Sequence, residues 1–317
     1  MELKATRFGY SDALLKLGEK DERICALDAD LAKSTSSARF KERWPERFFQ
    51  MGIAEQNMVD VAAGLALAGK IPFASSYAIF VTGRAWEQMR TMVCYSKLPV
   101  RIAGHAGVSV GPDGATHQAL EDLAIMSVLP NMTVLSPCDY LETIKATMAA
   151  AYIDGPAYIR FGRAPIPVIT NEDTPFVLGK ANLVKEGNDV TIIATGIMVA
   201  EALEAAKTLE GMKINAEILN IHTIKPLDKD AILNSANKTG KVVTAEEHQL
   251  IGGLGSMVAS LLGRELPTPM EMVGMDDRWG ESGEPFELLK HFKCNSCEIV
   301  QAALKVISKG PLNKPAW

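Results

Sequence analysis

The chain has 317 residues, enough for two domains of ordinary size, and 47% of them are hydrophobic, enough for a sizeable core. It carries 33 Lys and Arg against 38 Asp and Glu, a net charge of −5, with the basic residues scattered, which argues against a nucleic-acid surface. Met1-Glu2-Leu3-Lys4-Ala5-Thr6-Arg7 lacks the apolar core of a signal peptide, and no uncharged apolar run reaches membrane-spanning length. The expectation is a cytoplasmic protein, which the odd number of thinly spread cysteines also suits. Cys294 and Cys297 form a Cys-x-x-Cys pair. No second pair accompanies it, so reduced cysteines near a terminal helix are the better reading than zinc.

Ile24-Cys25-Ala26-Leu27-Asp28-Ala29 reads as a buried strand. Met58 to Ala68 reads as a helix, because Val59, Ala62, Ala63, Ala66 and Leu67 recur at helical spacing. Its nearly all-round apolar character predicts burial on every side. Val81 to Tyr95 reads as a further helix and Leu98 to Ala103 as a strand. Then come a helix over Glu121 to Val128, a short strand over Thr133 to Pro137, a helix over Leu141 to Ala151 and a strand over Ala157 to Phe161. Such alternation predicts a mainly parallel sheet covered by helices on both faces.

Ala164-Pro165-Ile166-Pro167, continuing to Asn171-Glu172-Asp173-Thr174-Pro175, reads as a linker. The pattern then restarts, with strands over Val190 to Ala194, Asn215 to Leu219 and Lys241 to Ala245. Helices are expected over Val199 to Leu209, Asp228 to Ala236 and Gly255 to Leu262. The fold class is α/β, with two doubly wound domains: residues 1–164, a linker over 165–177, and a smaller domain over 178–317. Gly252-Gly253-Leu254-Gly255 opens a helix after a strand, but Val258 stands where a dinucleotide fingerprint has its third glycine. Close helix packing is the better reading of that run.

The residue that draws attention is Glu55, just ahead of the apolar helix. A carboxyl buried there would have a raised pKa and share a proton readily. By itself it reads equally as a solvated glutamate in a first helical turn, where the macrodipole favours it. Other stretches give it company. His105 to Gln118 is a glycine-rich loop after a strand, holding His105, Asp113 and His117, and strand ends of this kind are where open parallel sheets bind ligands. Tyr77 and Phe80 are three apart and can face one way, as a grip for a flat heterocycle or as ordinary core aromatics. Arg163 and Ser34 also follow strand ends, and Arg163 and Arg7 offer guanidiniums that match phosphate oxygens.

Together these residues carry a resemblance. Gly52-Ile53-Ala54-Glu55-Gln56-Asn57-Met58 resembles the activating-glutamate motif of transketolase and its thiamine-diphosphate relatives. Gly111-Pro112-Asp113-Gly114-Ala115-Thr116-His117-Gln118 resembles that family's Gly-x-Asp-Gly-x-Thr-His-Gln loop. The likeness covers almost the whole chain, as the family's pyrimidine-binding domain followed by its C-terminal domain. The family's metal-binding Gly-Asp-Gly is missing, so the chain resembles the C-terminal half of a split transketolase.

The resemblance implies a two-carbon transfer from a ketose phosphate to an aldose phosphate. It implies thiamine diphosphate as cofactor, with Mg2+ or Ca2+ ligated by a separate N-terminal subunit in an α2β2 assembly. Glu55 would hydrogen-bond the aminopyrimidine, Tyr77 and Phe80 would pack on it, and Asp30 would lie nearby. Arg7, Ser34, His105 and Arg163 would hold the sugar phosphate, Asp113 would read a substrate hydroxyl next to the carbonyl, and His105 and His117, with Glu55, would be catalytic. A sulfonated or otherwise modified sugar tail would suit the same pocket. One departure stands out: Gly83 occupies a position where the family often has a third aromatic, leaving that pocket more open or filled by another residue.

The rivals are the β subunit of a 2-oxo acid dehydrogenase, a deoxyxylulose-phosphate-synthase-like enzyme, and a non-catalytic scaffold. The first needs no phosphate cluster, His105 speaks against the second, and intact Glu55, His105, Asp113 and His117 speak against the third. Glu246, Glu247 and His248 are candidates only for interface contacts.

Overall fold

The structure, a computed structural model, describes residues 2–309. Two sheets carry it. The first has seven strands in the order Thr223–Lys225, Thr133–Leu135, Ala157–Phe161, Arg101–His105, Ile71–Tyr77, Ile24–Asp28, Phe48–Gln50. All its pairings are parallel except that of Thr223–Lys225, which runs antiparallel to Thr133–Leu135.

The central strands are apolar on both faces because both are covered. Alternate residues feed two separate cores. Leu27, Ala74, Ile102 and Tyr158 pack with the Glu55–Leu67 helix. Ala26, Phe73, Ala103 and Ile159 pack with the Thr6–Lys20 and Tyr140–Ala150 helices.

The second sheet has the order Met270–Met275, Val242–Gln249, Val190–Ala194, Ala216–Asn220, Asn182–Lys185. Only its Asn182–Lys185 edge is antiparallel. The first core runs on into this half through Ile193, Leu219, Ile221 and Val258, so apolar packing is continuous between the sheets. Thr223–Lys225, from the second half of the chain, completes the edge of the first sheet.

The proline-rich stretch is more ordered than a linker reading suggests. Pro165–Pro167 pairs antiparallel with Leu3–Ala5. Beyond it the chain is tied down by Asp139, whose carboxylate accepts from the Ile169 and Thr170 backbone N–H groups at 2.8 and 2.6 Å. The Lys145 ammonium donates to the carbonyls of Asn171, Glu172 and Thr174.

The helix after Glu55 differs from expectation. It runs over Glu55–Leu67 and buries only one side, leaving Gln56, Asn57, Asp60, Gly64 and Leu67 exposed. Alanine and glycine count as apolar in a sequence pattern but have too little side chain to demand burial, and the three polar residues mark the open face. The expected Val81 to Tyr95 helix is interrupted as well: Ile79–Arg84 and Met89–Cys94 are π-helical, with Trp86–Gln88 α-helical between them. No helix among the described residues is long and apolar enough to cross a membrane.

Candidate active site

Tyr77, His105 and Phe161 lie side by side at the carboxyl ends of three parallel strands, in direct register. That edge is where an open α/β sheet binds its ligands. Asp28 ends the next strand, fully buried, and its carboxylate accepts from Thr35 Oγ1 and Ser37 Oγ, both at 3.0 Å, and from the Leu31 backbone N–H. Burial pushes its pKa up to about 6 against these hydrogen bonds. The carboxylate thereby shapes the turn that carries Ser34.

The Ser34 carbonyl accepts from Arg7 Nη1 at 3.1 Å and meets His105 Nε2 at 2.8 Å. A carbonyl only accepts, so Nε2 carries the hydrogen and Nδ1 is a bare acceptor. Nδ1 is buried with no partner among the described residues. Burial above all, aided by Arg7 and Arg163, lowers the His105 pKa to about 3, so the ring is neutral at ordinary pH.

Tyr77 is the hub. Its hydroxyl donates to Asp113 Oδ2 at 2.8 Å and accepts from Arg163 Nη1 at 3.0 Å, and Arg163 Nη1 also donates to Asp113 Oδ2 at 2.7 Å. Burial and the hydrogen bond to Asp113 hold the phenol pKa above its ordinary value, which keeps the donor in place. Its ring packs against His105, His117 and Phe80 with centroids 5.2, 5.3 and 5.8 Å apart. Arg7 Nε is buried with no partner among the described residues, and burial together with the nearby Arg163 charge lowers the Arg7 pKa. Two guanidiniums converging this way favour an anion between them.

Glu55 is 3% exposed and does not stand alone: both its oxygens accept from Arg84 Nη1, at 3.0 and 3.1 Å. Arg84 is half-exposed and lies over the Phe80 ring, 4.2 Å from its centroid. Phe80 in turn meets His117 at 5.1 Å. Glu55, Arg84, Phe80, His117 and Tyr77 thus form one continuous wall. Gly83 leaves space, since a Cβ there would meet only Ile79 Cδ1 at 3.9 Å, and Arg84 covers the ring beside it.

Eight of the ten expected residues therefore come together around Tyr77: Arg7, Ser34, Tyr77, Phe80, His105, Asp113, His117 and Arg163. Glu55 joins them through Arg84. Asp30 stays apart on an exposed turn at φ 64°, its backbone N–H donating to Gln50 Oε1 at 2.8 Å. Asp adopts that left-handed conformation more readily than most residues.

Sequence reasoning missed Arg84, 29 positions from its partner, and it missed Asp28. The only signal for Asp28 was a carboxyl inside an otherwise apolar strand. The Gly252–Gly255 run does pack closely. The Leu254 and Gly255 N–H groups each donate at 2.7 Å to Glu246, whose pKa burial pushes up to about 8 against those bonds. A Cβ on Gly253 would lie 2.1 Å from the same carboxylate.

Comparison with known proteins agrees along the length of the chain. Residues 3–167 match the family model for the transketolase pyrimidine binding domain, and residues 179–299 that for the transketolase C-terminal domain. The chain is 47% identical over 301 residues to a 6-deoxy-6-sulfo-D-fructose transketolase subunit from a Clostridium strain, covering 95% of this chain and 94% of that one. It is 44% identical to a putative transketolase C-terminal section from Methanocaldococcus jannaschii, covering 96% and 97%. Human transketolase is 42% identical, but the chain spans only 49% of it. Among solved structures, one described as a split-gene transketolase in an inactive β4 tetramer superposes with a TM-score of 0.90 at 49% identity, covering 96% of this chain and 98% of that one.

Proposed function

This chain belongs to the transketolase family, and on that premise we propose that it is one half of a split transketolase, moving a two-carbon ketol unit from a ketose phosphate to an aldose phosphate. A separate N-terminal subunit completes the enzyme in an α2β2 assembly and holds the diphosphate of thiamine diphosphate through Mg2+ or Ca2+. Residues 1–164 are assigned as the pyrimidine-binding domain and 178–317 as the C-terminal domain, joined by 165–177.

The residues present suit the cofactor's pyrimidine. Arg84 presents a planar, nitrogen-rich group that lies over Phe80 at 4.2 Å while donating to both oxygens of Glu55. An aminopyrimidine needs the same two features, an aromatic face and a carboxyl partner. Thiamine diphosphate, when bound, supplies a nucleophilic carbon and an electron sink for breaking and remaking a carbon–carbon bond. Glu55 would hold and move the proton at the pyrimidine nitrogen, Phe80 and the Tyr77 ring would pack beside it, and Asp30, on its exposed turn outside the Tyr77 cluster, would lie near the bound cofactor. His105, neutral with a free Nδ1 acceptor, takes a substrate hydroxyl hydrogen rather than giving a proton. Asp113 reads a hydroxyl near the carbonyl, and His117 carries protons to the reacting oxygen.

The observation that carries the reading is a pair of guanidiniums at one strand-end edge: Arg7 donates to the Ser34 carbonyl that His105 also meets, Arg163 bridges Tyr77 and Asp113, and Arg7 Nε is buried with no partner among the described residues. An anionic sugar tail relieves the repulsion between the two guanidiniums and leaves binding energy for orientation at the reacting centre. The test combines the chain with its N-terminal partner, thiamine diphosphate and Mg2+, and assays two-carbon exchange between ketose and aldose phosphates. Turnover of pyruvate without turnover of ketose phosphates overturns the proposal.

A second reading concerns the tail. The relative that is 47% identical is described as acting on 6-deoxy-6-sulfo-D-fructose, and the same two arginines suit a sulfonate. Competing fructose 6-phosphate against its 6-deoxy-6-sulfo analogue decides between the two.

A further inference from the structure

Residues 107–118 bring Asp113 and His117 to the site, yet the root of this loop is held by the other half of the chain. Its neck closes through the Gly107 N–H and Ala119 carbonyl, at 2.9 Å. Glu247, at the end of the Val242–Gln249 strand and buried, accepts from the Ser109 N–H at 2.6 Å and from Ser109 Oγ at 3.0 Å. Gly107 sits at φ +89°, and a Cβ there would lie 2.3 Å from the Glu247 carboxyl, so the backbone approaches the carboxylate as closely as glycine permits. Two residues on, the Gln249 N–H donates to the Leu120 carbonyl at 2.8 Å. One strand end therefore grips both ends of the loop.

Packing agrees. Val108 is fully buried in the C-terminal core with Leu288, Leu289 and Phe292. Gln118 Nε2 donates to the Glu281 carbonyl at 2.9 Å. Arg160 Nη2 donates to the Glu247 carbonyl at 2.8 Å, which fixes the strand end in turn. At the tip, by contrast, Asp113 is held by Tyr77 and by an ion pair with Arg163 in which both side chains are about one-third exposed. Such an exposed pair contributes little, whereas two buried charge-assisted bonds to Ser109 are of the stronger kind.

We propose that the C-terminal domain sets the substrate loop, with Glu247 as a positioning residue that acts through Ser109 on Asp113 and His117. The proposal rests on the transketolase reading for what the loop serves, but its mechanical part does not. The test uses Glu247→Gln, Glu247→Ala and Ser109→Ala in the enzyme assembled with its N-terminal subunit, thiamine diphosphate and Mg2+. Amide exchange across 109–118 is expected to rise about tenfold in Glu247→Ala and less in Glu247→Gln, with the rest of the chain unchanged. KM for the ketose phosphate is expected to rise about tenfold, while thiamine diphosphate affinity stays within about twofold, because Glu55 and Phe80 lie off the loop. Adding Ser109→Ala to Glu247→Gln is expected to cost no more than about a further twofold.

Unchanged exchange at 109–118 overturns the proposal. So does exchange that rises throughout the chain with equal loss of cofactor affinity, which is what general destabilisation produces. A loosened loop in an enzyme that turns over no ketose phosphate leaves the clamp standing and removes the transketolase reading instead.

Discussion

The pairing of Glu55 with Arg84 makes an asymmetric prediction. Glu55 is 3% exposed and both its oxygens are satisfied by one guanidinium, while Arg84 is 50% exposed. Arg84→Ala leaves a buried carboxyl without that partner, at a cost of about 1–3 kcal/mol. Glu55→Gln leaves the guanidinium free to turn into water, and a pair with one half-exposed member is worth no more than about 1 kcal/mol. For a chain of 317 residues each kcal/mol lowers the melting temperature by about 1.5 °C. Arg84→Ala is therefore expected to lower the melting temperature of the isolated chain by roughly 1.5–4.5 °C, and Glu55→Gln by less than about 1.5 °C. The double variant should resemble Glu55→Gln, because the unpaired buried carboxyl is then gone. Calorimetric melts of the four proteins complete the cycle. An Arg84→Ala chain as stable as the parent, or a Glu55→Gln chain less stable than Arg84→Ala, refutes the argument that burial of Glu55 governs the pair.

Three further outcomes follow from the site. His105 has a folded pKa of about 3, below the unfolded value near 6.5, so its contribution to stability is full above about 6.5 and is lost as pH falls toward 3. Urea midpoints between pH 3 and 7 should fall more steeply for the parent than for His105→Asn, and parallel curves count against a buried neutral imidazole. Arg163 reaches both Tyr77 and Asp113 through Nη1 alone, which leaves the rest of its planar guanidinium for a sugar phosphate; a lysine ammonium cannot supply both, so in the assembled enzyme Arg163→Lys should raise KM for a ketose phosphate about 10- to 100-fold with thiamine diphosphate affinity unchanged. Tyr77→Phe removes the hydroxyl but keeps the ring; kcat/KM should fall about tenfold while the melting temperature shifts by only a few degrees, and a large fall in cofactor affinity would show that the ring had moved.

Much of the fold was legible because fully buried parallel strands are nearly pure apolar runs. Ala157–Phe161 and Val190–Ala194 match the expected bounds to the residue. The Thr6–Lys20 helix escaped notice because its buried side includes Thr6, Gly9, Ser11 and Gly18. Those residues are there for contact rather than hydrophobicity. A Cβ at Gly9 would lie 2.4 Å from the Tyr140 carbonyl oxygen, and one at Gly18 2.6 Å from the Phe40 and Trp44 rings. The Thr223–Lys225 strand was invisible for another reason: it joins a sheet whose other strands all precede the proline-rich stretch, and no local pattern states which sheet a three-residue strand enters.

The site divides along the same line between local and non-local information. His105 and Arg163 could be found because each follows an apolar strand, and Tyr77 by its spacing from Phe80; parallel register then brings Tyr77 and His105 into one row. Asp113 and His117 could be found because the glycine-rich loop is itself contiguous. What could not be read was the partner of each charge. Glu55 reads in sequence as a buried carboxyl that shares a proton or as a solvated one in a first helical turn, and neither reading contains the Arg84 that stands against it. Glu247 reads in sequence only as an interface candidate, yet Glu247 reaches Ser109 across 138 positions and bears on the loop that holds Asp113. Asp28, which ends the Ile24–Asp28 strand and which three local hydrogen bonds hold in place, was read only as part of an apolar run. Glu55 and Glu247 were both visible in sequence, and the effect of each was set by a contact that only the tertiary fold makes.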